Sequence, residues 1–245
     1  MKKPKQIIRK PGAPTPLTFP MRINRFLAFK NYATRKGADV LIEKGQVTIN
    51  GRRAQLGDKV KETDDIKVKN ATKKDYVYLA YNKPHGIVTH SAQSYEEDIK
   101  KIIGRNDVFP IGRLDKDSDG LIILTNDGRI TDKLLNPNKV HEKEYEVTTK
   151  FKLRPNFKEK MEAGVQIENE KTRPCKIKIT GDNKFYITLT EGKRHQIRRM
   201  CVALFNEVST LKRVRIMNIL LGKLKANEYR TIEGSELKTF LEKIF

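Results

Sequence analysis

One stretch concentrates the residue types that do chemistry. Phe109-Pro110-Ile111-Gly112-Arg113-Leu114-Asp115-Lys116-Asp117-Ser118-Asp119-Gly120 is a glycine- and charge-rich loop running directly into the apolar Leu121-Ile122-Ile123-Leu124. On residue types alone Asp115 has two readings, a turn carboxylate bonding backbone amides or an acid group available for chemistry. From His195 onward, Ile197, Met200, Cys201 and Leu204 fall at helical spacing. That run reads as an amphipathic helix whose first turn, with its free amides, can face a nucleic acid. Tyr145 alternates with Val147 and reads as a strand tyrosine of the core. His85, His90, His141 and His195 lack the spacing of a metal site, and neither a P-loop nor a dinucleotide-binding glycine pattern occurs. No metal and no cofactor is expected.

The elements around these residues follow from periodicity. Ile23, Phe26 and Leu27 predict a short helix, and a second starts after Thr34 as N-cap, with Ala38, Leu41 and Ile42 on one face and Gly45 as its stop. Val47 and Ile49 alternate into Asn50-Gly51, a tight-hairpin signal, and Ile66 and Val68 give a further strand. Polar Ala71-Thr72-Lys73-Lys74-Asp75 reads as a linker. Beyond it, Tyr76 to Tyr81 and Leu121 to Leu124 look like buried strands, with alternation at Tyr145/Val147 and Tyr186–Thr190. Helices are predicted near 129–135, 155–163, 195–204 and 234–243.

Charge narrows the partner. The 245 residues carry 51 Lys and Arg against 30 Asp and Glu, a net +21. Self-repulsion on that scale calls for a polyanion. Residues 1–76 alone hold 19 Lys and Arg and 7 Asp and Glu, more than half of that excess. Arg22, Arg25, Arg35, Lys36, Arg52 and Arg53 are the phosphate-contact candidates there, and the Pro- and Lys-rich residues 1–19 are expected to form a mobile basic tail. No apolar run approaches the length of a membrane span and no secretory leader is recognisable, so no membrane partner is expected and a cytoplasmic location is. Two cysteines, Cys175 and Cys201, exclude a disulfide framework. No recognition-helix motif favours DNA.

The basic helix–helix–hairpin unit resembles the RNA-binding module named after small-subunit ribosomal protein S-four, through Thr34-Arg35-Lys36 and Gly45-Gln46-Val47-Thr48-Ile49-Asn50-Gly51. Gly112-Arg113-Leu114-Asp115 with Gly120-Leu121 is similar to the signature of pseudouridine synthases of the RsuA/RluB/RluF branch. Asn82-Lys83-Pro84-His85-Gly86, Lys143-Glu144-Tyr145-Glu146-Val147 and Glu191-Gly192-Lys193-Arg194-His195-Gln196-Ile197-Arg198-Arg199-Met200 occur in that family's order. The likeness covers nearly everything from residue 17 onward. It implies an α+β chain: a basic tail (1–19), an S-four-like RNA-binding domain (20–70), a linker (71–76) and a mixed α/β synthase domain (77–245) around a central, mainly antiparallel sheet.

The resemblance also implies a reaction. Uracil is detached from ribose at nitrogen 1, turned, and rejoined through carbon 5, after the nucleotide has left its stack. Asp115 takes the place of the essential aspartate, attacking the anomeric carbon or the base, or removing a ribose proton to leave a glycal. Arg113 fills the gap in the RNA or holds the displaced phosphodiester. Tyr145 stacks on the base and helps move the carbon-5 proton. Arg198 pairs with Asp115, Ile197 supplies an apolar face opposite Tyr145, and His195 and Gln196 approach the RNA, as do Leu114 and Lys116. Lys83 and Arg215 are weaker candidates for RNA backbone contact. The residues 109–111 and 116–118 look closest to the RluF/RluB-type enzymes of large-subunit (23S) ribosomal RNA, whereas Asp119 and Arg194-His195 depart from them. A small-subunit or transfer RNA target, and a non-catalytic RNA-binding or ribosome-assembly factor, are the competing readings. The protein is expected to be a monomer.

Overall fold

The computed structural model describes residues 18–69, 75–89, 98–136 and 139–245. Most of the basic tail, linker residues 71–74 and His90 lie outside the described residues.

The N-terminal module contains β1 (Met21–Arg22), α1 (Ile23–Phe29), α2 (Arg35–Glu43), β2 (Val47–Ile49), β3 (Arg52–Arg53), β4 (Lys59–Val60) and β5 (Ile66–Val68). Thr34 caps α2 by accepting from the Gly37 N–H at 3.1 Å. Asn50 and Gly51 both hold positive φ, as a twist-matched two-residue hairpin turn requires. Ile23, Leu27, Ala38, Ile42, Val47 and Val60 form its buried core.

The larger domain contains β6 (Tyr78–Lys83), α3 (Ile99–Ile103), β7 (Phe109–Ile111), β8 (Asp119–Thr125), α4 (Arg129–Leu134), β9 (Lys143–Thr149), α5 (Phe157–Glu162), β10 (Gln166–Ile167), β11 (Glu170–Lys171), β12 (Lys176–Gly181), β13 (Lys184–Leu189), α6 (Gln196–Ala203), β14 (Val208–Ile216), β15 (Ile219–Leu220), β16 (Tyr229–Thr231) and α7 (Gly234–Ile244). Its main sheet runs β12-β13-β9-β14-β8-β6-β16, with β15 beside β14 and β7 beside β8. Every pairing is antiparallel except the short β14–β8 junction, where Lys212 faces Asp119 and Arg213 faces Gly120.

β6 and β8 are buried on both faces. Tyr78, Ala80, Leu121 and Ile123 pack with α4 and α7, whereas Leu79, Tyr81, Ile122 and Leu124 pack with Ile99 of α3. Two-sided burial explains their unbroken apolar runs. β9, β13 and β14 bury one face against α5 and α6, which accounts for their alternation.

The four predicted helices form within two residues of their expected ends. Phe109–Ile111 is strand and not loop, which confines the loop to Gly112–Ser118. Pro110 is tolerated there because β7 pairs only with β8 and lies at an edge.

Candidate active site

The loop Gly112–Ser118 joins β7 to β8, and its backbone is held almost residue by residue. Five consecutive carbonyls each meet a different donor. The Arg113 carbonyl accepts from Nη1 of Arg213 (3.3 Å), and that of Leu114 from the Thr89 hydroxyl (2.7 Å). The Asp115 carbonyl accepts from the Ser118 N–H (3.1 Å), and that of Lys116 from the Gly86 N–H (2.9 Å). The Asp117 carbonyl accepts from Nη2 of Arg198 (2.6 Å). Leu114 also donates its own N–H to Thr89 Oγ1 at 3.0 Å. Donors thus come from the segment after β6, from α6 and from β14. Satisfied backbone on all sides fixes the direction of the Asp115 side chain, the preorganisation a reacting group requires.

That side chain is 42% exposed and therefore open to a large substrate. Beside it lies His195, with Nε2 3.6 Å from Oδ1. His195 caps α6 in the left-handed region (φ 50°), a conformation that turns it away from the helix course.

The expected Arg198–Asp115 pair does not form. The Arg198 guanidinium is taken by the Asp117 carbonyl and, through Nη1, by the Val208 carbonyl at 3.2 Å. Arg198 thus tethers α6 to the loop two residues beyond Asp115, while His195 meets the carboxylate.

Tyr145 on β9 is partly buried and packs on the cluster that includes Ile197. Ile197 itself is only 3% exposed. Gln196 departs from its expected role. It is buried, its Oε1 accepts from the Lys193 N–H (3.0 Å), and its Nε2 donates to Glu191 (2.7 Å). A side chain committed at both ends shapes the turn before α6 and does not face an RNA. Leu114 is likewise buried, anchoring the loop from below. Arg113 and Lys116 are exposed beside Asp115, and Arg113 has no ion-pair partner among the described residues.

Lys83 and Arg215 do not face the RNA backbone either. Lys83 is fully buried and donates to the carbonyls of Pro84 (2.9 Å) and Ile87 (2.8 Å), shaping the turn whose Gly86 reaches the loop. Burial pulls its pKa down to about 8; Asp119, Asp115 and Asp117 oppose the shift and Arg213 adds to it. Arg215 is paired with Glu144 (3.0 Å) and Glu142 (3.1 Å). Neither is available to an RNA backbone.

Thr89 and Arg213 carry no sequence signal of a site role, yet both hold the loop. Arg213 is 4% exposed and spans both ends of the loop, its Nε donating to the Leu121 carbonyl at 2.6 Å. In the N-terminal module, Arg22, Arg35 and Lys36 are exposed without an ion-pair partner among the described residues, whereas Arg52 is paired with Asp58 at 2.9 Å. Among the described residues no group of His, Cys, Asp or Glu is arranged to hold a metal, and no helix is long and apolar enough to cross a membrane.

Residues 77–203 match the family of RNA pseudouridylate synthases, and residues 21–66 match the S4 domain. The chain is 41% identical over 223 residues to the dual-specificity RNA pseudouridine synthase RluF of Escherichia coli K12, covering 89% of this chain and 77% of that one. It is 35% identical over 234 residues to the uncharacterized RNA pseudouridine synthase YtzG of Bacillus subtilis (89% and 97% covered). To ribosomal large subunit pseudouridine synthase B of the same organism it is 31% identical over 229 residues (89% and 94% covered). A crystal structure of a pseudouridylate synthase superposes with a TM-score of 0.67 at 28% identity, covering 92% of this chain and all of the other.

Proposed function

This chain belongs to the RNA pseudouridine synthases, isomerases that act on RNA, and from that premise we propose that it converts a specific uridine of large-subunit (23S) ribosomal RNA to pseudouridine with Asp115 as the nucleophile. The observation that carries the assignment is the loop itself: five pinned carbonyls aim one open carboxylate outward.

The reaction breaks the bond from ribose C1′ to uracil N1 and makes one from C1′ to C5. The proton on C5 leaves and N1 gains one, so no atom or electron is exchanged with a second reactant. A carboxylate that bonds transiently to the substrate divides this exchange into two easier steps. Arg113, exposed beside Asp115, occupies or braces the gap left by the extruded nucleotide. Tyr145 stands at the edge of the apolar cluster to stack on the base and carry the C5 proton. His195 lies close enough to Asp115 to steady the carboxylate or meet a phosphate. The large subunit is favoured by the name of the Bacillus relative and by the residues flanking Asp115. Transfer RNA, the alternative the sequence leaves open, is the second pool to assay. We place the enzyme as a monomer in the cytoplasm.

Asp115→Asn keeps the shape and removes the nucleophile. The expected result is no pseudouridine formed, with RNA affinity within a few-fold of wild type; turnover in that variant refutes the role. Mapping pseudouridines in ribosomal and transfer RNA from cells with and without the protein identifies the target, and an unchanged 23S map refutes the substrate.

A further inference from the structure

A second surface stands at the far end of α6. Phe205 is 73% exposed and held at φ 60°, and Phe151 is 60% exposed. Both sit on turns fastened to each other by the buried Asn206. Its amide nitrogen donates to the Phe151 carbonyl (3.1 Å), and its oxygen accepts the Phe151 N–H (3.3 Å) and the Glu207 N–H (2.8 Å). The two rings are therefore presented on a fixed base and not on a fraying end. Val202, 60% exposed, extends the apolar patch onto the last turn of α6. The Arg154 guanidinium lies 4.7 Å from the centre of the Phe205 ring. Between Arg154, Phe157, Lys160, Leu204 and Phe205 is a hollow of about 70 Å³, and a broader one of about 360 Å³ adjoins it at Lys160 and Leu204.

The charge around this patch selects its occupant. Residues 150–160 carry five Lys and Arg and one acid. Lys150 and Lys152 are paired with Glu207 and Asp182, whereas Arg154, Lys158 and Lys160 have no acidic partner among the described residues. Exposed aromatic rings flanked by unneutralised cations are what an unpaired nucleotide needs, a stacking face with phosphate neutralisation beside it. The patch is also tied to the site already described. α6 spans eight residues, about 12 Å, between His195 and Phe205, and Arg198 holds the Val208 carbonyl three residues past Phe205.

Building on the RNA-isomerase reading above, we propose that Phe205, Phe151 and Arg154 form a second RNA-contact surface that stacks an unpaired base of the substrate, with Lys158 and Lys160 on the adjoining phosphates. It holds RNA beyond the reacting nucleotide and acts on affinity, leaving the chemistry to the Asp115 loop.

The test uses full-length Asp115→Asn protein and a 23S ribosomal RNA transcript carrying 4-thiouridine, so that binding is measured without turnover. Irradiation is expected to crosslink RNA to peptides containing residues 151–160 or 202–206. Phe205→Ala is expected to weaken transcript binding about tenfold, and Phe205→Tyr, which keeps the ring, to bind as the parent does. In the enzyme that keeps Asp115, Phe205→Ala should raise KM by a similar factor at unchanged kcat. Absence of those crosslinks, or parental affinity in Phe205→Ala, overturns the proposal; the latter is also the result if the patch receives a protein. Should the wild-type enzyme make no pseudouridine in this transcript while the crosslinks form and depend on Phe205, the choice of target fails and this surface stands.

Discussion

Gly120 and Arg213 meet at the parallel junction of β8 and β14 so closely that a β-carbon on Gly120 would stand 2.3 Å from the Arg213 carbonyl oxygen and 2.7 Å from its nitrogen. Both obstacles are backbone, and Gly120 itself holds φ +107°. Gly120→Ala therefore has no low-strain solution: β14 must move away, or β8 must start elsewhere. Strain and overpacking together are expected to cost about 3 kcal/mol and to disturb the loop immediately before Gly120. Chemical denaturation checks the first effect and turnover the second; a wild-type midpoint would show that the junction has slack.

Arg213→Lys keeps the charge but not the fork. The guanidinium reaches the Arg113 carbonyl and the Leu121 carbonyl together, through Nη1 and Nε, and a single ammonium nitrogen cannot take the place of both donors. The consequence falls on the placement of Asp115 and not on the RNA surface. We expect kcat to fall about 10- to 100-fold, the range associated with an ångström of misplacement, with KM near wild type. Thr89→Val, nearly the same size, removes both bonds to Leu114 and should act in the same direction. A rise in KM alone in either variant would contradict a positioning role.

How much of this was legible beforehand differs from residue to residue. The Asn50-Gly51 turn, the Thr34 cap and the loop carrying Asp115 are local, written in residue types that few other conformations accept. The partner of Arg198 is not local. Its guanidinium goes to the carbonyls of Asp117 and Val208, a choice that depends on where β8 and β14 place the loop. Arg213 is one of 51 cations, and it sits in Lys212-Arg213-Val214-Arg215, where alternation does not say which cation turns inward. Gln196 turns inward because the left-handed His195 redirects the chain before α6, which helical spacing does not show. Its commitment to Glu191 follows from that turn.

Lys83 gives a pH signature in stability. In the fold its pKa is pulled down to about 8 by burial, against about 10.4 in an unfolded chain. Between those values the unfolded chain binds the proton and the fold does not, so this group makes stability rise with pH across the window, by about 1.4 kcal/mol per unit. Below pH 8 both states are protonated and the full cost of burying the ammonium is present. Half-buried Cys175 and buried Cys201 and Tyr81 are pushed up to about 12 and oppose the trend above pH 9. The wild type minus Lys83→Met difference removes their contribution. It should grow from pH 8 to 10, and a flat difference would mean that Lys83 keeps its proton in the fold as it does outside.

The N-terminal module offers a test of where phosphate contact is made. Arg35 and Lys36 open α2, exposed and without an ion-pair partner among the described residues, whereas Arg52 is engaged with Asp58 at 2.9 Å. An unpaired cation that neutralises a phosphate releases counterions and steepens the fall of affinity with salt, by about 0.7 to 0.9 in log–log slope for each contact. A cation already held by a carboxylate must give up that bond first. Arg35→Ala/Lys36→Ala should thus flatten the slope by about 1.5, while Arg52→Ala should change it by well under the 0.7 of a single contact. None of these variants touches the Asp115 loop, so kcat at saturating RNA should stay near wild type. Equilibrium binding to a 23S transcript across a salt series makes the comparison. If the double variant leaves the slope unaltered, α2 is not the face that meets the phosphates, and the remaining exposed cations of the module, Arg22 first among them, become the ones to change.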